Sequence, residues 1–78
     1  MIITFKLFAS ARDTLGCSSI SFEAEEKVLS SFIKILQRQH EKYNFSICKF
    51  AKNGEYIELN SILNEGDIIF VIPPVSGG

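Results

Sequence analysis

The hydrophobic period of this chain changes twice, and that pair of changes limits the fold more than any other feature. Over residues 2–8, Ile3, Phe5 and Leu7 alternate with Thr4 and Lys6, the period of two that a half-buried strand requires. Residues 18–22 alternate again, with Ile20 and Phe22 on one side. Over about residues 29–42 the spacing becomes helical. Leu29, Phe32, Ile33 and Leu36 stand at i, i+3, i+4 and i+7, and Lys34, Gln37, Arg38 and Glu41 largely fill the other face. That is one amphipathic stripe, enough to cover one face of a sheet. Glu25 and Glu26 lie near the expected start of this helix, where negative charge suits the helix dipole.

After Asn44 the strand pattern returns. Residues 47–51 and 55–59 flank Asn53-Gly54, a pair suited to the tight type I′ turn of a hairpin. A second turn signal, Asn64-Glu65-Gly66-Asp67, precedes the apolar run Ile68-Ile69-Phe70-Val71-Ile72. An unbroken run of this length predicts a strand buried in the interior of the sheet. Between the first two strands, residues 10–15 predict a short helical turn stopped by Gly16. The order strand, strand, helix, strand, strand, strand predicts an α+β domain with a mixed sheet of about five strands and one main helix packed on it. That is the β-grasp arrangement of ubiquitin-like folds. Residues 1–72 form the expected domain, and residues 73–78 a flexible tail.

Size and charge exclude several classes of function. The chain has 78 residues and is 46% hydrophobic, enough for one compact core without a metal or disulfide staple. A net charge of −1, with Lys and Arg scattered, gives no electrostatic drive toward nucleic acid or anionic lipid. No apolar run approaches the ~20 residues that span a bilayer, and residues 1–6 do not resemble a signal peptide. Cys17 and Cys48 form no CxxC motif and read as reduced structural thiols of a cytoplasmic protein. Nothing electropositive stands beside either one to make it a persulfide carrier. His40 is the sole histidine and has no second ligand at metal spacing. Asn44-Phe45-Ser46 matches a glycosylation sequon but is discounted without a secretion signal. There is no phosphate-binding loop, nucleophile elbow or catalytic carboxylate pair, so no bound cofactor is expected.

The chemistry is expected in the last six residues, Pro73-Pro74-Val75-Ser76-Gly77-Gly78. Proline lacks an amide donor, so Pro73 and Pro74 end strand pairing and stiffen the start of the tail. Six extended residues reach roughly 20 Å at about 3.3 Å each, far enough to enter a crevice in another protein. Gly77 and Gly78 carry no side chains and can thread a narrow channel. The carboxylate of Gly78 would then be sterically bare. A carboxylate resists attack because a nucleophile must add charge to charge. Conversion to an acyl-adenylate supplies a leaving group, after which sulfur or an amine can attack. Such a chain needs partner enzymes more than catalytic side chains of its own. An idle frayed tail is the alternative for Gly-Gly taken alone.

The segment from Leu63 to Gly78, with Gly66-Asp67 and Pro73-Pro74-Val75-Ser76-Gly77-Gly78 at its centre and end, resembles the C-terminal signature of molybdopterin synthase small subunits. Phe8-Ala9-Ser10-Ala11-Arg12-Asp13, followed by Gly16, resembles that family's opening motif, and Ala51-Lys52-Asn53-Gly54 its central hairpin. The likeness spans essentially the whole chain. Asp13 stands where the family often has Glu, and Lys52 where an apolar residue is usual.

The resemblance implies a two-enzyme cycle of sulfur transfer in molybdenum cofactor biosynthesis. An adenylating enzyme of the ubiquitin-activating type would consume ATP to activate Gly78, and a sulfur donor would convert it to a thiocarboxylate. The carrier would then give sulfur to cyclic pyranopterin monophosphate within the synthase, a heterotetramer of two small and two large subunits. Catalytic side chains are expected on the large subunit. The same resemblance places Phe8, Tyr56 and Ile72 in an apolar docking patch, with Arg12 at its rim and Pro73, Pro74, Val75 and Ser76 entering the partner. Ordinary core packing is the alternative for Phe8 and Ile72, whereas Tyr56 follows a turn and is expected to be exposed. Three rival functions remain: a sulfur carrier for the thiamine thiazole, a ubiquitin-like modifier joined to lysines through Gly78, and a β-grasp interaction module with an idle tail.

Overall fold

The alternation of β1 (Ile2–Leu7) sends Ile3, Phe5 and Leu7 to one side, where all three are buried. The computed structural model of the protein describes residues 1–75. After β1 come α1 (Ala9–Leu15), β2 (Ser19–Glu23), α2 (Leu29–Gln39), a 3-10 turn (Phe45–Ile47), β3 (Lys49–Lys52), β4 (Glu55–Ile57) and β5 (Ile68–Ile72). The five strands form one mixed sheet in the order β2-β1-β5-β3-β4. β1 runs parallel to β5 and antiparallel to β2, and β3 is antiparallel to both β5 and β4. This is the β-grasp fold that the periodicities predict.

One cluster of side chains holds the layers together. Leu29, Phe32 and Leu36 of α2 are buried against Ile3, Phe5 and Leu7 of β1 and Ile69 and Val71 of β5, and α1 contributes Ala11. Phe22 bridges strand and helix, with its ring centroid 5.8 Å from that of Phe5 and 5.7 Å from that of Phe32. Aromatic pairs at this separation add to the area they bury.

The turns follow the residues that demand them. Asn53 and Gly54 have φ of 52° and 82°, the two positive values a type I′ turn needs. Gly16 takes the left-handed conformation at the end of α1, and its amide donates to the carbonyl of Arg12 at 2.8 Å. Lys52 pairs with Asp67 at 3.1 Å. The same carboxylate accepts the Asn64 amide at 2.8 Å. The β3–β4 hairpin is thereby tied to the turn that starts β5.

Four expectations about boundaries and burial are corrected. The helix expected to reach residue 42 ends at Gln39. The Gln37 amide donates to the carbonyls of Tyr43 at 2.6 Å and His40 at 3.2 Å and accepts from the Phe45 amide at 2.9 Å. The chain therefore folds back and buries Tyr43 and Phe45, which a continued helix would carry past the core. The strand expected at residues 47–51 starts at Lys49, because the side chain of Asn44 accepts the Ser46 amide and hydroxyl and winds the preceding residues into the 3-10 turn.

The strand expected at residues 55–59 stops at Ile57. Its continuation turns to cap α2 instead: the amides of Leu29 and Ser30 donate to the carbonyls of Ser61 and Leu59, each at 2.9 Å. No side chain caps this helix and its first turn holds no acidic residue, so backbone carbonyls satisfy its leading amides. Finally, β5 is central in the sheet but is not buried on both faces. Ile69 and Val71 are buried, whereas Ile68 and Phe70 are exposed. A single apolar stripe on α2 covers one face only, and the other stays open.

Replacing Phe32 by Ala removes the ring that joins Phe22 to the helix. The expected cost is about 3–5 kcal/mol, a large part of the stability of so small a domain. Urea unfolding followed by circular dichroism checks it.

Candidate docking face and tail exit

The uncovered face of the sheet carries the residues that sequence reasoning singled out. Phe8 follows β1 in extended conformation, with φ −132° and ψ 157°, and so continues the outward row of Ile2, Thr4 and Lys6. The next residue, Ala9, has φ 48°, a left-handed conformation that costs a non-glycine residue about 1–2 kcal/mol. This turn lets α1 begin while Phe8 stays on the outer face. Phe8 is 38% exposed, and its ring lies 5.2 Å from that of Phe70, which is 41% exposed.

Strand register sets the rest of the face. Phe70 pairs with Lys6 on one side and Ala51 on the other, and Ala51 pairs with Tyr56. Lys6, Phe70, Ala51 and Tyr56 therefore form a row across four strands. Tyr56 is 66% exposed, with the ammonium of Lys49 lying 5.3 Å from its ring centroid. One step on, Ile72 pairs with Lys49 and is half-buried. Since β1 and β5 are parallel and Leu7 pairs with Val71, Phe8 and Ile72 lie at the same end of the sheet. The face is thus apolar along Ile68, Phe70 and Phe8, with cations at Lys6 and Lys49.

Of the expected docking residues, Phe8, Tyr56 and Ile72 share this face. Arg12 is exposed in the last turn of α1; among the described residues it makes no side-chain hydrogen bond or ion pair. Phe70 and Ile68 were missed, because the apolar run was assigned to a strand buried on both faces. The signal lay in the helix: one stripe on one helix leaves every second residue of β5 without cover.

Pro73 is buried, and Pro74 and Val75 are exposed, Val75 to 93%. The chain leaves the domain at Pro74, from the centre of the sheet and beside the Phe8–Phe70 pair. Ser76, Gly77 and Gly78 lie outside the described residues.

The body offers little chemistry of its own. Cys48 is half-buried, its sulfur 3.6 Å from the hydroxyl of Tyr43, which also lies 2.8 Å from that of Ser10. Burial pushes the Cys48 thiol up, against a smaller lowering by the Tyr43 hydrogen bond. Burial likewise raises the Tyr43 phenol, and Cys48 adds to the rise while Ser10 opposes it. A thiol held protonated is a poor nucleophile. Among the described residues no three His, Cys, Asp or Glu side chains come together as a metal site. No helix among them is long and apolar enough to cross a membrane.

Known proteins share the fold. The ThiS family profile matches residues 5–78. No curated protein matches the chain significantly. A putative molybdopterin converting factor, subunit 1, from Pyrococcus furiosus superposes with a TM-score of 0.81 at 27% identity, over 96% of this chain and 99% of that one. A chain from the complex of subunits 1 and 2 of molybdopterin-converting factor from Helicobacter pylori matches at 27% identity and a TM-score of 0.72, with full coverage of both chains at 100%. SAMP1 from Haloferax volcanii shares the fold at a TM-score of 0.85, with 21% identity and 100% coverage of each chain.

The Tyr43–Cys48 contact has a pH signature. Both groups are neutral when protonated, and both have folded-state values raised above their ordinary 10.0 and 9.0. The folded chain thus binds these protons more tightly than the unfolded one. Their contribution to stability is complete below pH 9 and falls as the pH rises through the folded-state values. Urea midpoints measured from pH 7 upward are expected to decline above pH 9, and less steeply in Cys48→Ala than in the wild type.

Proposed function

The chain belongs to the ThiS family, a ubiquitin-like family of sulfur carriers, and on that premise we propose that it carries sulfur on the carboxylate of Gly78 for molybdenum cofactor biosynthesis. The observation that supports this most is the exit point of the tail. The chain leaves the sheet beside an apolar, uncovered face, so a partner that grips the face receives the tail in a defined direction. Subunit 1 of a molybdopterin-converting factor, to which this chain is similar, is found in complex with subunit 2. We assign this chain the corresponding place, as the small subunit of a heterotetramer with two large subunits.

In the proposed cycle the Gly78 carboxylate attacks the α-phosphate of ATP on a ubiquitin-activating-type enzyme, and pyrophosphate leaves. The outer sulfur of a donor-protein persulfide then displaces AMP to form an acyl disulfide. A second thiol cleaves its S–S bond, releasing the thiocarboxylate and leaving a disulfide on the donor side. Inside the large subunit that sulfur passes to cyclic pyranopterin monophosphate while water returns Gly78 to a carboxylate, and two such transfers supply the two sulfurs of the dithiolene. Gly77 keeps the end of the chain slim enough to reach a buried centre, and Pro74, Val75 and Ser76 span the distance. ATP is consumed on the activating enzyme, and this chain acts as a tethered co-substrate. A cytoplasmic setting belongs to the proposal, supported by the two free thiols.

Two measurements test it. Incubation with an activating enzyme, ATP and a sulfur source is expected to raise the intact mass by one oxygen-to-sulfur exchange, localised to Gly78. Deleting Gly77 and Gly78 should abolish the gain without unfolding the domain. Lysine conjugates in place of the mass gain would overturn the reading in favour of a protein modifier. For docking, Phe70→Glu places a charge at the centre of the open face. It is expected to weaken binding to the large subunit at least thirtyfold, as loss of an aromatic hot spot worth about 2 kcal/mol would. The far-ultraviolet spectrum should be unchanged, since Phe70 points away from the core. Calorimetric titration reads the affinity.

A further inference from the structure

The second uncovered surface lies on the other side of the sheet. α2 packs over β1 and β5 and stops short of β4, the last strand in the sheet order. Between helix and strand runs an open groove of about 810 Å³. Its floor is apolar: Ile33 from α2, Phe50 from β3, Ile57 at the end of β4, and Leu59, which is largely exposed. Ile33 belongs to the helical stripe whose other members, Leu29, Phe32 and Leu36, are fully covered. It is the one position of the stripe that faces the groove.

The rim carries charge of one dominant sign. Lys34 and Arg38, one helical turn apart, line the helix wall. Glu58 is the sole carboxylate among the lining residues, although acids outnumber bases over the whole chain, nine to eight. Gln37 also lines the groove, but its amide is spent on the loop that returns to Phe45. The charged groups on the helix side of the groove are therefore two cations, Lys34 and Arg38, against the one carboxylate of Glu58.

The wall formed by β4 decides what kind of occupant fits. A pocket of this volume falls in the range of small-ligand sites, about 300–1,000 Å³. However, among the described residues the three-residue β4 pairs with β3 alone, so its outer edge offers backbone groups to a further strand. An extended peptide satisfies such an edge by adding a strand, and alternate side chains then fall into the adjacent groove. Acidic residues on that peptide would meet Lys34 and Arg38 on the helix wall.

We infer that the groove between α2 and β4 is a peptide-binding site for an extended apolar segment of another protein that is flanked by acidic residues, separate from the Phe8–Phe70 patch. The inference does not rest on the sulfur-carrier reading, because neither the tail nor that patch contributes to it.

The test is selection of a displayed library of random octapeptides on the full-length protein, followed by amide shift mapping of the enriched sequences. The expected sequences alternate apolar residues and carry at least two Asp or Glu. Their shifts should fall on Ile57, Glu58 and the α2 residues near Lys34. Lys34→Glu combined with Arg38→Glu, both on an exposed helix face, should weaken these peptides at least tenfold. Should that variant fail to fold, raising the salt concentration on the wild type provides the same reading, since screening should weaken a charge-guided peptide. Absence of enrichment, enrichment of basic or uncharged peptides, salt-independent binding, or shifts confined to the Phe8–Phe70 patch would each overturn the inference.

Discussion

The packing of Leu29, Phe32 and Leu36 from α2 against the inner residues of β1 and β5 is the contact on which the rest of the molecule depends. It buries Phe5, Phe32 and Leu36 completely, and it removes water from the middle of the sheet. A helix of 11 residues is about 16 Å long at 1.5 Å per residue and can cover only a few strands. The central strands are therefore sealed on one face, while the opposite face and the strip beside β4 stay open. Both candidate surfaces of the protein follow from that shortfall of cover.

Parallel pairing of β1 with β5 turns an open face into a directed one. Because the two strands run the same way, Phe8 and Ile72 come to the same end of the sheet although they stand near opposite ends of the chain. The chain then leaves from between its best-covered strands, past the buried Pro73. A tail rooted in the centre of a sheet has a stiffer base than one frayed from an edge strand, because its last residues are hydrogen-bonded on both sides.

The body itself is chemically quiet. Burial holds Cys48 in its protonated form beside Tyr43, and Lys52 and Asp67 neutralise one another while fixing a turn. No buried side-chain nitrogen or oxygen among the described residues lacks a hydrogen-bond partner.

What local sequence determined was the kind and order of the elements. Period two at Ile3, Phe5 and Leu7, helical spacing at Leu29, Phe32 and Leu36, and paired positive-φ residues at Asn53-Gly54 are properties of neighbours a few positions apart, and they were legible as they stand. The terminal Pro-Pro and Gly-Gly were legible for the same reason, since their effect comes from missing atoms rather than from surroundings. Tertiary structure alone decided where elements stopped and which faces stayed bare. α2 ends at Gln39 because the side chain of Gln37 binds a loop that must bury Tyr43 and Phe45. β4 ends at Ile57 because the carbonyls beyond it cap a helix that lies far back in the chain. Phe70 lies exposed in an apolar run because cover depends on the reach of a single helix, and reach is a distance in space that no spacing along the chain encodes.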